Sequence, residues 1–182
     1  SSSAVAGGAC TGAGIGPSRI DRVIGITKAY TTRVGEGPFP TELDDALGQH
    51  LRDVGKEYGS VTGRPRRTGW LDIAALRYAK RVNGLDGLAI TKLDVLSGLD
   101  EVRACVGYET SSGRVDDLPI AELDTATPIY ETLPGWHEDI SECRQLADLP
   151  AAARNFVDFV QEQTALPIYI TSVGPDRRAT II

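Results

Sequence analysis

A chain of 182 residues can bury one sizeable core, so a single domain or a large part of one is expected. Its apolar fraction of 41% and charged fraction of 24% are those of a water-soluble globular protein, and a net charge of -6 excludes a general nucleic-acid grip, so any anion site must be a local basic cluster. No stretch approaches the roughly 20 apolar residues that span a bilayer, no signal peptide opens the chain, and Cys10, Cys105 and Cys143 lack metal-binding spacing, a pattern that fits a reducing, cytoplasmic compartment.

The opening run Gly7 to Pro17 has Pro17 where a dinucleotide fingerprint needs its third glycine, and it lacks the Gly-Lys-Ser/Thr end of a phosphate loop. It is expected to be a tight turn beneath a helix start. Val23 to Tyr30 is an apolar run suited to a buried strand. Thr41 is expected to open a helix, capping it with Asp44, with Leu43, Leu47, Leu51, Val54 and Tyr58 in one stripe before Gly59. A second helix is predicted over Trp70 to Val82, stopped by Asn83-Gly84. Leu88 to Thr91 reads as a short buried strand, Val102 to Tyr108 as another, Ser111 to Gly113 as a turn and Thr127 to Glu131 as a further strand. Pro150 starts a last helix with Ala153, Phe156, Val157 and Val160 on one face, followed by the apolar run Pro167 to Thr171. Helices alternating with short apolar strands predict an α/β fold with a largely parallel, helix-covered sheet.

Three segments have chemical potential. Ser60-Val61-Thr62-Gly63-Arg64-Pro65-Arg66-Arg67-Thr68-Gly69 concentrates three arginines in a loop between two helices. The planar guanidinium fork suits carboxylate or phosphate, but arginines also pair with a protein's own acids, and the residues leave both readings open. Thr91-Lys92-Leu93-Asp94 follows a short strand, where open α/β sheets bind ligands. An Asp there can accept from the N1-H and 2-amino group of guanine together, and a Lys stem can cover the base face while its charge stays wet. An ordinary exposed strand end is the competing reading. Ser172-Val173-Gly174-Pro175 ends another strand in a small-residue turn whose backbone N-H groups can approach a base oxygen. His50 and His137 read as surface and loop positions.

Taken in order, these segments resemble adenylosuccinate synthetase from Ala6 to the C-terminus. The resemblance is carried by Thr11-Gly12-Ala13-Gly14-Ile15-Gly16-Pro17, Lys28-Ala29-Tyr30-Thr31-Thr32-Arg33-Val34-Gly35, Gly37-Pro38-Phe39-Pro40-Thr41-Glu42, Thr62-Gly63-Arg64, Arg66-Arg67-Thr68-Gly69-Trp70-Leu71-Asp72, Thr91-Lys92-Leu93-Asp94-Val95-Leu96, Leu133-Pro134-Gly135-Trp136 and Gly174-Pro175-Asp176-Arg177. It implies the C-terminal portion of a P-loop-NTPase-like nucleotide-binding architecture. The implied activity of the whole protein is joining IMP to L-aspartate at the expense of GTP with Mg2+, in a cytoplasmic homodimer that needs neither nucleic acid nor membrane.

By resemblance, Lys92, Leu93, Asp94, Ser172, Val173 and Gly174 hold guanine. Ser60, Val61, Thr62, Gly63, Arg64, Pro65 and Arg66 grip aspartate, with Arg64 also near IMP, Arg66 near GTP, and Val34 offering a backbone contact to the IMP ribose. The family's glycine-rich phosphate loop, its catalytic Asp and His and its Mg2+ ligands have no counterpart among these residues, so no catalytic or metal-ligating residue is assigned here. Ser1-Ser2-Ser3 and the absence of any Met fit a segment that begins within a longer protein. Pro65 interrupts the arginine run and stiffens it. The rival expectation is a noncatalytic guanine-nucleotide or partner-binding module.

Overall fold

The computed structural model describes residues 5–182. Fourteen helices and strands follow one another: α1 (Gly7–Ala13), β1 (Ile24–Lys28), β2 (Thr31–Arg33), α2 (Ala46–Val54), β3 (Arg67–Gly69), β4 (Leu71–Asp72), α3 (Ile73–Asn83), β5 (Gly87–Thr91), β6 (Glu101–Thr110), β7 (Gly113–Val115), β8 (Thr127–Pro134), α4 (Ala151–Thr164), β9 (Ile168–Ser172) and β10 (Thr180–Ile181). The fold is α/β. One sheet has the order β1-β5-β9-β10, with β1, β5 and β9 parallel and β10 antiparallel. A second is built on β6, with β4 parallel to it and β7 and β8 antiparallel. The parallel arrangement predicted from alternation therefore holds for the first sheet, while the long β6–β8 ribbon adds an antiparallel one. No helix among the described residues is long and apolar enough to cross a membrane.

The central strand β5 is buried on both faces, as its uninterrupted Gly87-Leu88-Ala89-Ile90 requires. Edge strand β1 forms where expected but is not a buried strand: Ile26 is 80% exposed and Ile24 43%. Only one side of β1 pairs, and the face carrying these two side chains is uncovered among the described residues. The core gathers Leu51, Ile73, Leu88, Ile90, Leu93, Phe156 and Val160, with Trp136 tilted on Phe156 at 6.2 Å between ring centroids.

Several boundaries differ from the sequence expectation, each for a local reason. The glycine-rich opening is the short helix α1 rather than a turn; Asn83 Oδ1 accepts the Ala6 N-H at its start, and Gly14, at φ 68°, ends it in the left-handed conformation. Helix α2 begins at Ala46, capped by Asp45, whose carboxylate accepts the Gly48 N-H at 2.9 Å, not at Thr41. Such a cap contributes about 1 kcal/mol. Thr41 cannot serve because it is buried in a turn: its carbonyl accepts Trp70 N-H, and the Leu43 N-H donates to the Thr68 carbonyl. The stripe correspondingly ends early, with Val54 and Tyr58 exposed.

Helix α3 begins at Ile73, because Leu71 and Asp72 are drawn into strand pairing with Ala104 and Cys105. Asp72 caps it at the Ala75 N-H and also accepts from the Tyr108 hydroxyl at 2.5 Å. The second half of the basic stretch is strand β3 rather than loop, since Arg67, Thr68 and Gly69 pair with Arg33, Thr32 and Thr31.

Candidate functional site

Parallel neighbours deliver their C-terminal ends to the same sheet edge. Ile90 pairs with Thr171 and Lys28 with Thr91, so Lys92 to Asp94 and Ser172 to Gly174 emerge side by side, next to the end of β1. Between them lies a cleft of about 580 Å³ lined by Gly55, Thr91, Lys92, Asp94, Ser172 and Gly174, among others. Leu93 and Val173 turn into the core and are 0% exposed, main chain included, so neither lines the cleft. Even the Val173 N-H is already given to the Ala179 carbonyl. Ser172 Oγ donates to the Gly174 carbonyl at 3.0 Å.

Lys92 adopts the left-handed conformation at φ 60°, uncommon for a residue with a side chain and concentrated at functional sites. This bend turns the chain into the short 3-10 turn Leu93–Leu96 that holds Asp94. Asp94 Oδ1 is buried and has no hydrogen-bond partner among the described residues. Buried acceptors are rarely left in that state. Burial raises the Asp94 carboxyl above its usual range, against the opposing pull of Lys92. The Lys92 side chain stays 34% exposed, but its ammonium is also held by the protein: it donates to the Gly55 carbonyl and, at 2.9 Å, to Glu57 Oε1.

A second cleft, of about 420 Å³, is lined by Val34, Gly35, Gly59, Ser60, Val61, Thr62, Arg64, Pro65 and Arg66. Val34, distant in sequence, thus meets the basic loop. Gly63 does not line the cleft; at φ 65° it makes the turn, its N-H donating to Gly59 and Gly59 in turn donating to Arg64. Pro65 bridges to Tyr58.

The three arginines separate into different environments. Arg67 is structural, its guanidinium forked onto the Glu42 carboxylate with Nε 2.7 Å from Oε1, and also donating to the Gly37 carbonyl. Arg66 donates from Nη1 to Glu57 Oε2 at 2.8 Å. The Arg64 side chain is exposed, with no ion-pair or hydrogen-bond partner among the described residues. Pairing with the protein's own acids is therefore seen for Arg66 and Arg67, while Arg64 faces solvent.

Glu57 was not singled out by sequence reasoning, because one acid after a helix carries no local signal. It is 0% exposed. Its Oε1 accepts from Lys28 Nζ at 2.8 Å, the Tyr30 hydroxyl at 2.5 Å and Lys92 Nζ at 2.9 Å, and its Oε2 from Arg66. Burial pushes its carboxyl up, but the four donors outweigh that and hold it at about 2 against an ordinary 4.5. Burial lowers the Lys28 ammonium, with Glu57 opposing and Lys92 and Arg66 adding to the lowering.

Because the folded value lies below the unfolded one, the stability this carboxylate contributes is fully present above pH 4.5 and is lost as pH falls from there towards 2. Urea unfolding of the full protein across that window is expected to show Glu57→Gln declining less steeply than the parent. Equal slopes would mean that Glu57 titrates normally.

No group of three or more His, Cys, Asp or Glu that could hold a metal ion occurs among the described residues. His137 meets Asp100 at the surface, while His50 Nε2 is buried and has no partner among the described residues.

The sequence model of one family, described as adenylosuccinate synthetase, matches residues 1–181. The chain belongs to the adenylosuccinate synthetase family. It is 63% identical over 182 residues to the adenylosuccinate synthetase of Sorangium cellulosum (strain So ce56), and 58% identical over 183 residues to that of a Nocardioides species (strain ATCC BAA-499 / JS614). The structure of fully ligated adenylosuccinate synthetase from Plasmodium falciparum matches with a TM-score of 0.92 at 41% identity, over 100% of this chain and 44% of that one. The chain spans about 43% of the length of the curated family relatives it matches.

Proposed function

We propose that the whole protein joins IMP to L-aspartate at the expense of GTP, forming adenylosuccinate, and that this chain supplies the guanine-reading cleft and the arginine cleft. The observation that carries the reading is the buried, unpartnered Asp94 Oδ1 beside a cleft between two parallel strand ends. A carboxylate there accepts from guanine N1-H and the 2-amino group, whereas adenine offers an acceptor at N1 and no 2-amino group.

In the arginine cleft, the unpartnered guanidinium of Arg64 takes a carboxylate of aspartate in its fork and reaches towards IMP. The segment Ser60 to Thr62 closes on the same substrate, Val34 offers its backbone to the IMP ribose, and Arg66 faces GTP. The excess of positive charge among Lys28, Lys92 and Arg66 over Glu57 suits an anionic ligand.

In the reaction, the terminal phosphoryl group of GTP passes to the 6-oxygen of the IMP base, leaving GDP. The aspartate amine then attacks C6; the C-N bond forms, the C-O bond breaks, phosphate leaves and the nitrogen loses a proton. The Mg2+ of the family finds no matching ligand set among the described residues. The same family likeness is the support for a cytoplasmic homodimer, which sedimentation checks.

The full protein is expected to form adenylosuccinate from IMP, aspartate and GTP but not from ATP, and the 182-residue chain alone to form none, as followed by chromatography of the nucleotides. A full protein that binds guanine nucleotide without turnover would instead be a binding module.

A further inference from the structure

The segment from Val54 to Arg66 contributes to both clefts in succession: Val54 to Lys56 face the guanine cleft, and Gly59 to Thr62 with Arg64 to Arg66 the arginine cleft. Glu57 lies between the two stretches and lines neither, its side chain buried. Its two oxygens serve the two clefts separately. Oε1 holds the ammonium of Lys92, a wall of the guanine cleft, and Oε2 holds the guanidinium of Arg66, a wall of the other. The main chain reinforces the link, since the Arg66 N-H donates to the Glu57 carbonyl at 2.9 Å, while the Arg66 carbonyl accepts from Arg52 Nε.

Core anchoring alone would need only the Tyr30 hydroxyl, a neutral donor inside the core. Gathering three cations on one buried carboxylate instead fixes where their charges stand, because a long, flexible ammonium or guanidinium stem holds a single position only when its head group is bound.

We propose that Glu57 is a positioning residue that sets Lys92 and Arg66 together, so that the geometry of the guanine cleft and that of the arginine cleft depend on one carboxylate. The inference rests on the reading of the two clefts given above. Glutamine at this position keeps the shape but removes the charge that holds both Lys92 and Arg66, so the hold on each is weakened, and whichever way the amide lies its N-H also faces a cation.

In the full protein, assayed well below its unfolding temperature, Glu57→Gln is expected to raise the KM for GTP and the KM for aspartate together, each about tenfold, with a smaller fall in kcat. Phe156→Leu, a core change lining neither cleft, is the control for instability: it lowers Tm and leaves both KM values in place. A Glu57→Gln protein that loses only Tm, or in which only one KM moves, overturns the proposal. Asp94→Asn, run alongside, separates the failures: if it leaves the GTP KM unchanged, the guanine reading fails and takes this inference with it. If Asp94→Asn acts and Glu57→Gln does not, the inference alone fails. Should Glu57→Gln not fold, Lys92→Met, Arg66→Met and the double variant decide: effects on GTP KM smaller in the double than the product of the singles support the link, and multiplicative effects refute it.

Discussion

Asp94→Asn in the full protein is expected to raise the KM for GTP about 100-fold, the equivalent of roughly 3 kcal/mol, with kcat little changed. The carboxylate oxygen Oδ1 is shielded from water and has no partner among the described residues, and in the proposed reading guanine supplies its donor. Guanine presents two N-H donors side by side. An asparagine keeps one acceptor but sets its own amide donor against the second, which leaves buried groups unpaired on both sides. The same chemistry predicts a partial rescue: a xanthine nucleotide, with a carbonyl at C2 in place of the 2-amino group, accepts from the new amide and should lose far less. Unfolding should be unaffected or slightly favourable to the variant, because burial already disfavours the charged carboxyl. An unchanged GTP KM would remove Asp94 as base reader.

The second large effect is expected at the arginine cleft. Arg64→Leu should lower kcat/KM for aspartate about 100-fold with little change in Tm, since a charge-assisted fork onto a carboxylate is lost while no contact within the described protein depends on it. Arg66→Leu should lower kcat/KM comparably but also reduce Tm, because Glu57 is then left with an unpaired oxygen in a buried position. Lysine at position 64 should recover only part of the loss, as a point charge cannot reproduce the two-pronged contact. Arg103→Leu is the surface control, its guanidinium exposed and paired only with its near neighbour Glu101. Aspartate kinetics in Arg64→Leu matching those of the control would make the loop a solvated surface.

The elements legible in the sequence were those whose signal is local. Ala153, Phe156, Val157 and Val160 recur at helical spacing and are all buried on α4; Gly84 sits in the left-handed stop its type requires; Gly87 to Ile90 form a fully buried strand. The elements that shifted were decided by partners far along the chain. Thr41 looks like a helix cap until Thr68 and Trp70 pair with its segment, and Trp70-Leu71 continues a helical stripe until β6 takes Leu71 as a strand partner.

The site divides in the same way. Residue type and position after a strand made Lys92, Asp94 and Ser172 to Gly174 candidates, and composition did the same for the arginine loop, because an Asp or an Arg carries its recognition chemistry with it; their assignment to guanine and aspartate rested on the family resemblance. Which arginine is open to a ligand was settled only by folding: Glu42 claims Arg67, Glu57 claims Arg66, and Arg64 is left unclaimed among the described residues. Glu57 itself emerges only in three dimensions. Its importance comes from burial and from four donors supplied by the end of β1, the bend that follows it, the Lys92 bend and the basic loop, and neither desolvation nor convergence from separate segments is a property of the residue or of its neighbours in sequence.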